Sequence, residues 1–194
     1  MSAWLIVGLR NPGPDYQGSR HNVGAEVVEA LGRRWGVSFG RAPGRVRAEV
    51  AEARAAHRRV TLALPRVFMN DSGTAVAPLL RYYKQPPERL VLVHDDIDLP
   101  FGRLRFHQGR GTGGHRGVDS VARSLGSLGF SRLKVGVGRP PGSMDPADFV
   151  LRRFSQEERA EVDLLVEDGA DALESLVQQG MQAAVQRAGE RKPS

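Results

Sequence analysis

Short, unbroken apolar runs separated by stretches of helical periodicity constrain this chain more than any other feature. Trp4-Leu5-Ile6-Val7-Gly8-Leu9 is too short for a helix and reads as a buried strand, as does Leu90-Val91-Leu92-Val93. Residues 45–53, 58–64, 103–107 and 133–137 read as further strands, with Val60, Leu62 and Leu64 alternating in the second of them. Between the strands lie helical patterns. Val23, Val27, Leu31 and Trp35 fall on one face, and Gly36 closes that helix. A helix through Val76, Leu79, Leu80 and Tyr83 takes its capping side chains from Asn70-Asp71-Ser72 and ends before Pro86-Pro87. Val118 to Leu125 forms the next helix. Ser155 and Glu158 then fit a capping box, opening a helix whose core face carries Val162, Leu165, Val166, Leu173, Leu176 and Val177. Gly169 and Gly180 are candidate kinks or breaks in it. The alternation predicts an α/β fold: a twisted mixed β-sheet flanked by helices, in one domain over residues 1–194, with a loose tail at the last few.

At 194 residues the chain can bury a sizeable core, and neither repeats nor linkers divide it. It has no cysteine, which excludes disulfides, thiolate metal sites and a cysteine nucleophile. The N-terminal sequence lacks an export pattern, and no segment is apolar enough to span a membrane, so the expectation is a cytoplasmic protein. The net charge of +6, almost all from arginine, permits a polyanionic partner without requiring one.

The first strand runs into Asn11-Pro12-Gly13-Pro14-Asp15-Tyr16, and Arg20-His21-Asn22 follows closely. Loops leaving the carboxyl ends of central strands carry the chemistry of α/β proteins, and this one presents an amide, a phenol and an imidazole. Each residue also has a plainer reading. Asn11 can be a turn former, Tyr16 a half-buried aromatic, His21 a donor to a backbone carbonyl and Asn22 a helix N-cap. A second cluster ends the other buried strand: His94-Asp95-Asp96-Ile97-Asp98. Strand alternation points Asp95 away from Asp96 and Asp98, which argues against three convergent metal ligands. Asp95 is instead placed to hold a histidine in one tautomer, while Asp96 and Asp98 read as solvated loop acids. Gly109 to Gly114 has the G-x-G-x-x-G spacing, but it lies mid-chain without the acidic residue a dinucleotide site needs about 20 residues on. It reads as a glycine-rich loop beside a cleft, with Arg110, His115 and Arg116 suited to phosphate. With no serine elbow and no P-loop, the available hydrolytic chemistry is histidine-activated water acting on an ester, aided by asparagine amides.

Several blocks together resemble bacterial peptidyl-tRNA hydrolase: Leu5 to Gly13, Ser19-Arg20-His21-Asn22, Phe68-Met69-Asn70-Asp71-Ser72-Gly73 and His94 to Pro100. Gly113-Gly114-His115 with Gly117, and Val135 to Pro140, extend the match over nearly the whole chain. The resemblance implies a monomeric enzyme of phosphorylase/hydrolase-like architecture, without metal or cofactor. It would cleave the ester between a peptide and the tRNA 3′ ribose, recycling tRNA from peptidyl-tRNAs that drop off or stall, with stalled large ribosomal subunits as a further partner. By position, His21 is the general base and Asp95 stabilises its protonated form. Asn11 distinguishes peptidyl-tRNA from free aminoacyl-tRNA, and Asn70 binds the peptide end or orients water. Tyr16 and Phe68 line the cleft, with Met69 beside the base or in the core. The family's usual Asn after Gly-Gly-His is Arg116 here, which shifts that contact toward tRNA phosphate. The clamp on the tRNA 5′-phosphate maps to His107 and Lys134, and a partly charged His107 would make KM rise between about pH 6 and 8. The alternatives are a non-catalytic RNA-binding module of the same fold and a hydrolase of small esters. The set Asn11, His21, Asn70 and Asp95 disfavours the former.

Overall fold

The first strand, β1 (Trp4–Gly8), pairs in parallel with a strand on each side, which is why it is buried at every position rather than at alternate ones. The computed structural model describes residues 3–194. The remaining strands are β2 (Gly40–Arg41), β3 (Ala48–Ala55), β4 (Arg58–Pro65), β5 (Leu90–Asp96), β6 (Leu104–Gln108) and β7 (Ser131–Gly136). They form a seven-stranded mixed sheet in the order β2-β3-β4-β1-β5-β7-β6. The central strands β4, β1, β5 and β7 are parallel, and the antiparallel pairs lie toward the edges.

Helices cover both faces. Trp4, Ile6, Val91 and Val93 face α1 (Val23–Arg34), α5 (Gln156–Gln179) and α6 (Met181–Glu190) in one core cluster. Leu5, Val7, Leu90 and Leu92 face α2 (Gly73–Tyr82) and α3 (Arg116–Leu125) in the other. Full burial of each Leu, Ile and Val side chain among these contributes about 1.5–3 kcal/mol. The layered α/β sheet is the architecture expected from the alternation.

Local details differ from expectation for identifiable reasons. The capping box of Ser155 and Glu158 forms as read. Gly180, at φ +101°, ends α5, whereas Gly169 stays helical: a Cβ there would lie 3.0 Å from Val27 of α1, so its small size lets the two helices approach. Ser72 occupies the N-cap position of α2, but its hydroxyl donates back to the Met69 carbonyl at 2.6 Å instead of capping. The short α4 (Pro146–Leu151) and β2 carry too few periodic residues to register in the sequence. Just after α6, Arg191 is buried, bonded to Glu161 at 2.6 Å, Asp168 at 3.0 Å and the Gly102 carbonyl at 2.8 Å, while residues 192–194 are exposed.

One close approach sets the site. A Cβ on Gly24 would lie 2.1 Å from the Val93 carbonyl oxygen, and one on Gly8 2.6 Å from Ala25 Cα. Only glycines here let the start of α1 press against β1 and the end of β5, which brings the His21 turn onto Asp95.

Candidate active site

The strands paired with β1 lie on opposite sides of it, one (β4) reached before and one (β5) after the α2 crossover, so the carboxyl ends of β1 and β5 bound a crevice at the point where the order reverses. The loop after β1, the Phe68–Asn70 segment, the end of β5 and the glycine-rich loop before α3 all reach this crevice. With α4 they enclose a cleft of about 510 Å³. Asn11, Tyr16, His21, Phe68, Asn70, Asp95, His115, Arg116 and Lys134, all singled out from sequence, line it.

Asp95 is at the centre, 2% exposed. His21 Nδ1 lies 2.9 Å from each of its carboxylate oxygens, and His115 Nε2 lies 2.8 Å from Oδ1. Burial alone would raise the Asp95 pKa, but the adjacent His21 and His115 outweigh it and hold the carboxyl well below its usual range. An ionised carboxylate only accepts, so both facing imidazole nitrogens carry protons. His21 therefore keeps the lone pair of Nε2 for the cleft. His115 occupies the N-cap position of α3, where Nδ1 accepts from Gly117 N–H at 3.1 Å and Val118 N–H at 3.3 Å. Its two nitrogens are spent on the protein, so His115 supports Asp95 rather than reaching for phosphate. Beneath it, His94 donates from Nδ1 to the Asp95 carbonyl at 2.7 Å and accepts at Nε2 from Arg132 at 3.3 Å. Burial, with His115 and Arg132 nearby, lowers the His94 pKa well below the usual value, in keeping with a neutral ring.

One ligand atom from each of His21, Asp95 and His115 falls within 4.8 Å of the others, close enough for a metal ion to be considered. The tautomers argue against it. Ligation through His115 Nε2 would move its proton to Nδ1, against the two backbone N–H groups that Nδ1 now accepts.

The amides are oriented as firmly. Asn11 Oδ1 accepts the Met69 N–H at 2.7 Å, which leaves its NH₂ group for the cleft. Asn22 sits at the N-cap position of α1 without capping it: its Oδ1 accepts from Asn11 N–H and its Nδ2 donates to Asn11 C=O, both at 2.9 Å. Asn70 is exposed in the cleft wall, and Tyr16 meets the half-exposed Phe68 edge-on, with centroids 6.2 Å apart. Met69 both joins the core beneath α2 and lines the cleft. Arg20, beside the base, is buried with its guanidinium 4.2 Å from the Phe149 ring and bonded to Glu158 at 2.8 Å, which ties the His21 turn to α4 and α5.

His107 departs from expectation. It shares a sheet face with Lys134, but Arg132 lies directly opposite it, and it does not line the cleft. Burial first, then Lys134, Arg132, Arg110 and Arg105, push its pKa down to about 4, so it is neutral, not partly charged, between pH 6 and 8. Lys134 remains at the cleft, 3.2 Å from Asp96. Sequence reading also passed over Arg132, although the alternation Arg132-Leu133-Lys134-Val135 marks an arginine on the same face as Lys134.

An imidazole fixed by a buried carboxylate, with a free ring nitrogen and an amide donor facing a cleft at strand ends, has the parts of an α/β hydrolase that activates water. The family model for peptidyl-tRNA hydrolase matches residues 5–194. The peptidyl-tRNA hydrolase of Mycobacterium ulcerans is 49% identical over 183 residues, covering 94% of this chain and 95% of its own. The crystal structure of peptidyl-tRNA hydrolase from Acinetobacter baumannii superimposes with a TM-score of 0.92 at 31% identity, covering 100% of this chain and 98% of that one. A 5′-methylthioadenosine nucleosidase from Arabidopsis thaliana gives 0.51 at 7% identity, covering 98% and 96%, a likeness of fold alone. The chain belongs to the peptidyl-tRNA hydrolase family.

Proposed function

We propose that this protein hydrolyses the ester between a peptide and the 3′ ribose of tRNA, and that His21, Asp95 and Asn11 carry the reaction. The observation that bears most weight is the tautomer lock, in which His21 Nδ1–H faces the Asp95 carboxylate at 2.9 Å while Nε2 is left free. Nε2 takes a proton from water as its oxygen attacks the ester carbonyl, and Asp95 stabilises the imidazolium that forms. The Asn11 NH₂ donates to the carbonyl oxygen as it becomes an oxyanion. Collapse breaks the bond to the ribose oxygen, and His21 returns its proton to that leaving alkoxide, giving free tRNA and a peptide acid.

Around this centre, Asn70 orients the peptide end, and Tyr16 and Phe68 supply an apolar wall. Arg116 carries fixed charge at the cleft rim, and Lys134 approaches the tRNA 5′-phosphate, while neutral His107 adds no charge to that contact. The enzyme acts as a monomer where translation proceeds, recycling tRNA from products that leave or stall on the ribosome. Among the described residues, no helix is long and apolar enough to cross a membrane.

The test compares N-acetylaminoacyl-tRNA, free aminoacyl-tRNA and an N-acetylaminoacyl ester of adenosine. Release mainly from the first supports the proposal. Equal release from the adenosine ester points to a hydrolase of small esters, and tRNA binding without release points to an RNA-binding module.

A further inference from the structure

Arg132 is 2% exposed, and no ion pair among the described residues includes it. Burial lowers its pKa, with Asp96 and Asp119 only partly opposing that. A buried cation without a carboxylate partner is strongly unfavourable unless its donors are satisfied in another way. Here they are satisfied by the glycine-rich loop together with His94 of β5. The guanidinium donates to the Gly111 carbonyl, to the Thr112 carbonyl at 3.3 Å and to His94 Nε2 at 3.3 Å.

The loop has little else to hold it down. A Cβ at Gly109, Gly111, Gly113 or Gly114 would meet nothing within 4 Å, so the side-chain direction at each of these positions opens onto free space. Its backbone tie to the sheet is Gly109 N–H to the Phe130 carbonyl at 3.2 Å. The loop nevertheless leads directly into His115, which caps α3 and donates to Asp95.

We infer that Arg132 is the positioning residue that seats this loop, and through His115 the Asp95 carboxylate, in the geometry the reaction uses. The inference rests on the hydrolytic reading above. Two carbonyls and an imidazole lone pair call for three donors spread over one plane, which a guanidinium provides and an ammonium provides poorly. Arg132 borders the cleft, but its guanidinium is spent on the two loop carbonyls and His94, so its loss acts on the chemical step more than on binding.

Arg132→Met and Arg132→Lys would be assayed for kcat and KM on N-acetylaminoacyl-tRNA, and for the rate at which trypsin cleaves the folded protein after Arg110 in the loop. The expected result for Arg132→Met is a fall in kcat of about 10- to 100-fold, the scale of a misplaced catalytic group, with KM changed by less than about threefold. Tryptic cleavage after Arg110 should quicken by roughly tenfold or more as the loop loses its tether. Arg132→Lys should lie between Met and wild type in both readouts, and it carries the test alone if the Met variant does not fold. An unchanged kcat, an unchanged cleavage rate, or a raised KM with kcat retained would each overturn the inference, the last by making Arg132 a tRNA contact. A wild type that releases no peptide would sink the functional reading, while the cleavage rate would still decide whether Arg132 seats the loop.

Discussion

Replacing Asn22 with alanine tests whether the site is held by the clamp on Asn11. The wild-type side chain makes two buried hydrogen bonds of 2.9 Å to the backbone N–H and C=O of Asn11, and Asn22 itself is 7% exposed. Alanine leaves one donor and one acceptor unpaired at about 1–3 kcal/mol each, and water entering the vacated space recovers part of that. The expected loss is about 3 kcal/mol, or roughly 6–12 °C in Tm for a chain of this size. Because Asn11 also accepts the Met69 N–H, the freed loop should carry its NH₂ group off the carbonyl oxygen and lower kcat by at least about tenfold. Urea unfolding gives the first quantity, and peptide release at a temperature where the variant stays folded gives the second. Asn22→Asp sharpens the test. It keeps the acceptor but sets a carboxylate oxygen against the Asn11 carbonyl, so its stability gap to wild type should narrow in acid, where a protonated Asp donates again. Asn22→Ala within about 0.5 kcal/mol of wild type and with kcat within about twofold would refute the clamp.

Other substitutions probe the remaining supports. Gly24→Ala places a methyl against the Val93 carbonyl and should cost about 1–3 kcal/mol while lowering kcat by prying the His21 turn from Asp95; calorimetry and turnover read both. His107, with its pKa near 4, is neutral at both ends of the pH 6–8 range, so wild type and His107→Gln should give parallel KM profiles there. A pH-dependent gap between them would contradict this. The unfolded chain protonates His107 before the native one does, so stability should fall as pH drops from about 6.5 toward 4, and less steeply in His107→Gln, as urea midpoints would record. Asp95→Asn presents an NH₂ where two imidazole N–H groups need an acceptor, and should cut kcat by about 10²- to 10⁴-fold. Because the native Asp95 pKa is depressed, the stability it contributes is present above about pH 4 and lost below, so the variant's acid unfolding should be flatter.

The central strands are legible because β1 and the Leu90–Val93 stretch of β5 are buried on both faces and apolar throughout. The pairing of His21 with Asp95 is legible as chemistry, since a histidine near one strand end needs a carboxylate at another. The support around that pair is not. His115 reads as a phosphate ligand until the fold puts its ring between the start of α3 and Asp95. Asn22 reads as a helix cap until Asn11 is seen to take both ends of its amide. The titration of His107 depends on its burial and then on Lys134 and Arg132, brought beside it by a β6–β7 register that no local pattern reveals.

The most direct test of the account is release of labelled peptide from N-acetylaminoacyl-tRNA by wild type and His21→Ala, each verified as folded. The wild type should release peptide, and the variant should lose at least about 10²-fold of that rate. Equal release by the two would contradict the role of His21. Tight tRNA binding by both with release by neither would contradict hydrolysis itself.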